Sequence, residues 1–176
     1  MAVTNLVLCL SKLGRREEAL GPADEAAGFS RNLVRDGVIT YLPKLAMSLH
    51  NLGNRLSQLD RHEQAVTAAE EAVQVRRQLA QAGPVAHHSD LADALTQLRR
   101  ELWLLGRQRE ALTPAEEAVD LYRQLANADP DRHLPNLTEA FMSYTTLCIA
   151  AGVNPLAAFA HVWDAVRPTG PERGLH

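Results

Sequence analysis

Adjacent carboxylates are the side chains of this sequence best suited to acid–base chemistry, and they occur in pairs such as Glu70-Glu71 and Glu116-Glu117. A general acid and a general base must reach one substrate together. Neighbouring residues of a helix point about 100 degrees apart, so neither pair can face a single substrate. The sequence also lacks a glycine-rich phosphate loop, a nucleophile elbow and an HExxH pair. We therefore expect a protein that is not an enzyme.

Histidine and cysteine are the residue types that could bind a metal. His87 and His133 are separated by one 46-residue interval and His88 follows the first, but no cysteine or carboxylate has the spacing of a partner ligand. We expect these histidines to be exposed in loops, with no metal and no cofactor bound. Cys9 and Cys148 are too few for a disulfide framework and are expected to be free and buried.

The composition narrows the class of partner. The 176 residues carry 18 Lys plus Arg against 21 Asp plus Glu, a net charge of -3 without a basic patch for nucleic acid. No apolar run reaches the roughly 18 residues that a membrane span requires, and the N-terminus lacks a signal-peptide pattern. These features predict a cytoplasmic protein that binds neither nucleic acid nor membrane.

Internal repetition organises the chain. The segment LGRREEAL at 13–20 returns as LDRHEQAV at 59–66 and as LGRQREAL at 105–112, each time after 46 residues. Residues 45–90 and 91–136 align without a gap, with 21 of 46 positions identical, and a fainter fourth copy follows. We expect repeats at about 1–44, 45–90, 91–136 and 137–167, forming one domain over 1–167, and a flexible tail over 168–176.

Each repeat has the apolar spacing of two helices. Leucines at 45, 49, 52, 56 and 59 advance by three and four residues, which is the face of one helix, and alanines at 65, 69 and 72 form the face of a second. Pro43, Gly83-Pro84, Asp129-Pro130 and Pro135 are expected to interrupt the helices between repeats. The pattern predicts an all-α array of about four helical hairpins, whose charge runs form an exposed outer face.

These residues resemble the signature of the tetratricopeptide repeat family, in a long-unit bacterial form. The second repeat supplies the signature residues Leu52, Gly53, Leu56, Asp60, Ala65, Ala69 and Ala72. The unit departs from the usual length of about 34 residues, and Arg99 replaces the small residue at the position of Gly53. The resemblance implies a right-handed superhelical solenoid of antiparallel helix-turn-helix repeats. It also implies a non-enzymatic scaffold that binds a peptide or partner domain along the concave groove of the first helices.

The register of the first helices predicts the side chains that line this groove. They are Asn5, His50, Asn51, Asn54, Thr96, Gln97, Arg100, Trp103 and Met142. The amides of Asn5, Asn51 and Gln97 form a ladder that could hydrogen-bond to the backbone of an extended peptide. The alternative is that these amides bridge to water or to neighbouring helices.

Trp103 and Arg100 are the strongest candidates for contacts with a partner, because aromatic and arginine side chains dominate interface energetics. Arg100 lies one turn before Trp103 and could stack on the indole or bind a carboxylate of the partner. The alternative is that Trp103 packs between adjacent hairpins.

The two ends of the chain suggest a second function. Residues 3–10 and 155–166 are apolar over most of their surface, and the tail is too short to cover them. The alternative function is therefore a structural, oligomerisation or regulatory module that associates through apolar terminal helices, giving a homo-oligomer.

Overall fold

The structure, a computed structural model, describes residues 16–154, apart from the side chains of residues 16 and 84–86. The elements are α1 (Arg16–Arg35), a 3-10 helix (Ile39–Tyr41), α2 (Leu42–Gln58), α3 (His62–Ala82), α4 (Pro84–Leu104), α5 (Gln108–Ala128) and α6 (Pro130–Ala150). Residues 16–154 contain no strand, and each helix packs against the helix that follows it. The predicted all-α solenoid of helical hairpins is confirmed.

Small residues allow the two helices of a hairpin to approach closely. Ala65 of α3 and Ala111 of α5 occupy equivalent positions and are fully buried. Leu49 of α2 and Leu95 of α4 are also equivalent and fully buried against them. A larger residue at the alanine positions would overpack the contact. The buried leucines and alanines fix each first helix, α2, α4 or α6, so that its other face is open to solvent.

The turn that ends each first helix is repeated. Asp60, Gly106 and Gly152 lie 46 residues apart and have φ angles of 57, 72 and 70 degrees. After each of them an amide donates to a carbonyl five residues earlier, as from Arg61 to Leu56 at 2.9 Å, which closes the helix end. Glycine adopts this left-handed conformation freely, whereas an L residue such as Asp60 loses about 1 kcal/mol there.

Prolines begin the first helices, and one expectation about them is wrong. Pro43, Pro84 and Pro130 lie in the first turn of α2, α4 and α6, where a missing amide hydrogen has no helical partner to lose. Pro135 lies inside α6 and not between repeats. Its ring removes one hydrogen bond, to the carbonyl of Asp131 near the start of the helix, and α6 continues through it.

The second helices, α1, α3 and α5, are joined by a repeated ion pair. Arg31 Nε donates to Glu71 Oε1 at 2.8 Å, and 46 residues later Arg77 Nε donates to Glu117 Oε1 at 3.1 Å. The hydrogen bonds to the carboxylates raise the pKa of both arginines. Exposed pairs of this kind contribute less than about 1 kcal/mol each, so they align the second helices more than they stabilise them.

Candidate functional site

The first helices place equivalent side chains beside one another. Their outward faces expose Met47, Trp103, Met142 and Ile149, by 46%, 37%, 65% and 67%. Of the predicted groove residues, His50, Asn51, Asn54 and Thr96 are half-buried and Arg100 is exposed, whereas Asn5 lies outside the described residues. We call the furrow between α2 and α4 the first crevice and the furrow between α4 and α6 the second crevice.

Hydrogen bonds close the first crevice. Gln97 Nε2 on α4 donates to the backbone oxygen of His50 at 3.3 Å and to Asn54 Oδ1 at 3.0 Å, both on α2. Gln97 is only 5% exposed. Its side chain is long enough to cross between the helices, so its amide hydrogens are used inside the protein and not toward a partner. Of the two interpretations of the amide ladder, the bridge to a neighbouring helix applies to Gln97.

Gly53 gives Gln97 the space that it occupies. A Cβ atom at Gly53 would lie 2.9 Å from Gln97 Nε2, closer than van der Waals contact permits. In the second crevice the equivalents of Gly53 and Gln97 are Arg99 on α4 and Ser143 on α6. The small and the long residue have changed places, and Ser143 is too short to repeat the bonds of Gln97.

Arg100, predicted to contact a partner, already has partners in the protein. Its Nε and Nη2 donate to Glu101 Oε1 at 3.0 and 2.8 Å, and Nη2 lies 3.4 Å from Asn54 Oδ1. Glu101 is fully buried, and its Oε2 lies 3.0 Å from His62 Nδ1. A buried carboxylate requires such partners. Arg100 therefore supports the wall of the first crevice, and the suggested stacking on Trp103 is not present.

Two adjacent pockets open in the second crevice. The inner pocket has a volume of about 200 Å³, and its lining includes Asp93, Arg99, Tyr122, Glu139 and Ser143. The outer pocket has a volume of about 230 Å³ and is lined by Arg99, Trp103, Met142, Ser143 and Thr146. Arg99 and Ser143 belong to both pockets. The inner pocket carries two carboxylates, whereas the described lining of the outer pocket carries none and presents an indole and a thioether.

A tyrosine and an aspartate form the base of the inner pocket. Tyr122 of α5 is buried, and its hydroxyl donates to Asp93 Oδ1 at 2.6 Å. Burial raises the pKa of the Tyr122 hydroxyl, and the hydrogen bond to Asp93 is the second cause that raises it. The hydroxyl is therefore a neutral donor at physiological pH, and it holds the Asp93 carboxylate toward the crevice.

Arg99 was not among the predicted site residues. It is half-buried and forms no hydrogen bond or ion pair with another described residue. Burial lowers the pKa of its guanidinium, and the charge of Arg100 acts in the same direction. The sequence does contain a signal for Arg99, because a long charged residue replaces glycine in the repeat. Tyr122, which replaces Arg76 of the previous repeat, carries no comparable signal.

Trp103 is partly packed within the protein and partly accessible. It remains 37% exposed, so most of its surface is covered by the protein, as a residue packed between hairpins requires. Its accessible part lines the outer pocket beside Met142. Thr146 does not offer its hydroxyl hydrogen there, because Oγ1 donates to the backbone oxygen of Met142 at 2.9 Å.

The expected loop positions of the histidines are wrong. His87 and His133 lie near the starts of α4 and α6, because these helices begin already at Pro84 and Pro130, and His133 is buried. Within residues 16–154 no group of three or more His, Cys, Asp or Glu side chains is placed to hold a metal ion. Cys148 is free and buried, as predicted, and Cys9 lies outside the described residues.

Comparison with known proteins supports the repeat type. Residues 45–90, which include all of α3 and most of α2, match the family model of the tetratricopeptide repeat. The fold is similar to the crystal structure of BtubC (BKLC) from P. vanneervenii, with a TM-score of 0.68 and 16% sequence identity. The match covers 97% of this chain and 65% of that chain; at this identity the likeness concerns the fold alone. A search of curated proteins finds no match.

The repeat type carries a general functional meaning. Tetratricopeptide repeats generally mediate protein–protein interaction and are generally not catalytic. None of the helices in the described part of the chain is both long enough and apolar enough to cross a bilayer.

Proposed function

We propose that this protein is a non-enzymatic scaffold that binds an extended segment of another protein along the groove of α2, α4 and α6. The second crevice is the observation that carries the proposal. Trp103 and Met142 expose apolar surface on its two walls, directly beside polar groups. Aromatic residues and methionine are enriched in protein interfaces, and binding energy concentrates on such anchors.

The remainder of the groove suits the backbone of an extended segment. Asn51, Thr96 and Asn54 are half-buried polar residues on the predicted groove face, and their side chains can exchange hydrogen bonds with peptide groups. Gln97 and Arg100 hold this surface in place from within. We place the scaffold in the cytoplasm, since the free thiol of Cys148 fits a reducing compartment.

A peptide selection tests the proposal. The immobilised full chain is panned against a library of random peptides of about ten residues, and the affinities of the enriched peptides are measured by fluorescence anisotropy. We expect Trp103→Ala to weaken them at least about tenfold, because it removes a central aromatic anchor. Phe29→Ala is the matched control, since Phe29 is an aromatic residue of α1 that is 60% exposed. It should leave the affinities unchanged.

Two results would contradict the proposal: no peptide is enriched, or the enriched peptides bind the Trp103→Ala variant as well as the parent protein. Thermal unfolding followed by circular dichroism shows whether both variants are folded. Light scattering separates the alternative function. A dimer that persists in Trp103→Ala, together with a selection that enriches nothing, would favour association through the terminal helices.

A further inference from the structure

Two carboxylates face the inner pocket of the second crevice without a cation bound to them. Asp93 of α4 and Glu139 of α6 are equivalent residues of successive repeats, both are exposed, and both line this pocket. Neither forms an ion pair with another described residue. Asp93 accepts the Tyr122 hydroxyl at 2.6 Å, which leaves its second oxygen open to the crevice.

The positive charges nearby do not balance both carboxylates. Arg99 is the basic residue among the lining residues of the inner pocket, and its charge attracts that of Glu139. Arg100 is bound to Glu101, and Arg76 is bound to Asp90. The charge of Asp93 therefore remains without a counterion, so the inner pocket is complementary to one positive charge.

The outer pocket carries no carboxylate among the described residues that line it. Besides Arg99, Ser143 and Thr146, its lining includes the indole of Trp103 and the side chain of Met142, which is 65% exposed. Covering this surface with an aliphatic or aromatic side chain removes apolar area from water. An apolar group is thus favoured here, immediately beside the site of the positive charge.

The spacing of the two pockets fits an extended chain. Trp103 lies ten positions after Asp93 on α4, and Met142 lies three positions after Glu139 on α6. At about 1.5 Å per helical residue the mean separation is about 10 Å. Three residues of an extended polyproline II segment span about 9.3 Å and complete one turn. Side chains at positions i and i+3 of such a segment point to the same face and can enter both pockets together.

We propose that the second crevice selects an extended partner segment in which a lysine or arginine is separated by two residues from a bulky apolar residue. The basic side chain binds in the inner pocket between Asp93 and Glu139. The apolar side chain packs on Trp103 and Met142. This inference rests on the proposed function and specifies the chemistry of the partner.

Defined peptides test the inference. Labelled peptides of about eight residues, blocked at both ends, carry Lys-Ala-Ala-Leu or Leu-Ala-Ala-Lys at their centre, with matched peptides in which lysine is replaced by glutamine or glutamate. Fluorescence anisotropy with the full chain gives their affinities. We expect at least one order of the lysine peptide to bind about tenfold more tightly than its glutamine counterpart. The glutamate peptides should bind most weakly.

Isosteric variants assign the effect to the carboxylates. Asp93→Asn and Glu139→Gln should each reduce the preference for lysine over glutamine, because they remove charge without removing volume. An asparagine at position 93 can still accept the Tyr122 hydroxyl. Glu25→Gln is the control, since Glu25 is an exposed glutamate of α1. It makes the same change in net charge and should keep the preference intact.

The outcomes distinguish this inference from the function on which it rests. Equal affinity for all these peptides, lost in Trp103→Ala, would overturn the inference and leave the scaffold function supported. A preference for glutamate, or a lysine preference that both carboxylate variants retain, would also overturn it. If neither these peptides nor any peptide of the random library binds, both the inference and the proposed function fail.

Discussion

The first and second crevices are built from the same repeat, yet one is closed by the protein and the other remains open. In the first, Gln97 crosses from α4 to α2 and bonds to His50 and Asn54. In the second, Ser143 stops short of α4, and two pockets lie beside it. The length of one side chain therefore distinguishes a furrow that hydrogen bonds bridge from a furrow that contains two pockets.

The residues below the two crevices also differ, in their charge. Below the first crevice, Arg76 of α3 is bound to Asp90 of α4 and both charges are compensated. Below the second, the equivalent of Arg76 is Tyr122, which is neutral and bonds to Asp93. Asp90 is also replaced, by Asn136, whereas Asp93 takes the place that Met47 has in the first crevice. The carboxylate of Asp93 therefore has no arginine partner among the described residues below the second crevice. The second crevice thus differs from the first in both shape and charge.

Filling the second crevice should have the largest effect. Ser143→Gln adds to α6 the side chain that closes the first crevice, and it occupies the wall common to both pockets. We expect peptides from the selection to bind at least about tenfold more weakly, a loss of about 1.4 kcal/mol. Thr67→Gln adds the same side chain to the exposed face of α3, a second helix, and should not change binding. Unaltered affinity in Ser143→Gln would show that the peptides bind elsewhere.

Opening the first crevice should have the next largest effect, on stability. Gln97→Ser removes two hydrogen bonds to α2 and should lower the free energy of unfolding by about 1 to 2 kcal/mol, measured by urea denaturation. Gly53→Ala improves helix propensity by up to about 1 kcal/mol, but in the parent protein its Cβ meets Gln97. The alanine should be nearly neutral alone and stabilising beside Gln97→Ser. Additive effects of the two changes would contradict the contact.

The turns that end α2 and α4 offer a third comparison. Asp60 and Gly106 share a positive φ angle. We expect Asp60→Gly to raise the free energy of unfolding by about 1 kcal/mol and Gly106→Ala to lower it by a similar amount. Nothing lies within 4 Å of a Cβ at Gly106, so backbone strain is the cause in that case. Urea denaturation of both variants measures the changes, and a stabilised Gly106→Ala would refute this explanation.

The smallest expected effect concerns pH, because the first crevice contains His50 where the second has Thr96. Burial is the main cause that lowers the pKa of His50, with Arg76 and Arg100 adding to it and Gln97 and Asp93 opposing it. The unfolded chain therefore binds the proton first as the pH falls. This contribution to stability is complete above the ordinary pKa of about 6.5 and is lost below it.

His50→Thr should consequently reduce the loss of stability between about pH 7.5 and 5.5. The measurement is the free energy of unfolding of parent and variant at both pH values. An equal loss in the two proteins would show that His50 does not contribute to the pH dependence.

The sequence predicted the hairpins because they depend on local information. The spacing of Leu49 and Leu52 in α2, and of Ala65 and Ala69 in α3, identifies the faces that must be buried, whatever the neighbouring repeat contains. The helical positions of His87 and His133 were missed, since Pro84 and Pro130 can either interrupt a helix or begin one.

The candidate site was only partly predictable. The register correctly places Trp103 and Met142 on the exposed face, because exposure follows from helical periodicity. It could not show that Gln97 reaches Asn54, or that Arg100 turns back to Glu101. These contacts depend on which atoms of a second helix lie within about 3 Å. Arg99 is visible in the sequence as an irregularity of the repeat. That it lines two pockets together with Ser143 of α6 could be seen only in the structure.

The ion pair between second helices has a consequence for the history of the chain. Arg31 bonds to Glu71, and Arg77 bonds to Glu117, so each helix offers the next a donor and an acceptor in the same places. A block of 46 residues that is duplicated or lost in frame would recreate the same junction, because each block contacts only its neighbours. The number of repeats can therefore change by recombination without disturbing the side chains of α4 and α6, which change by single substitutions.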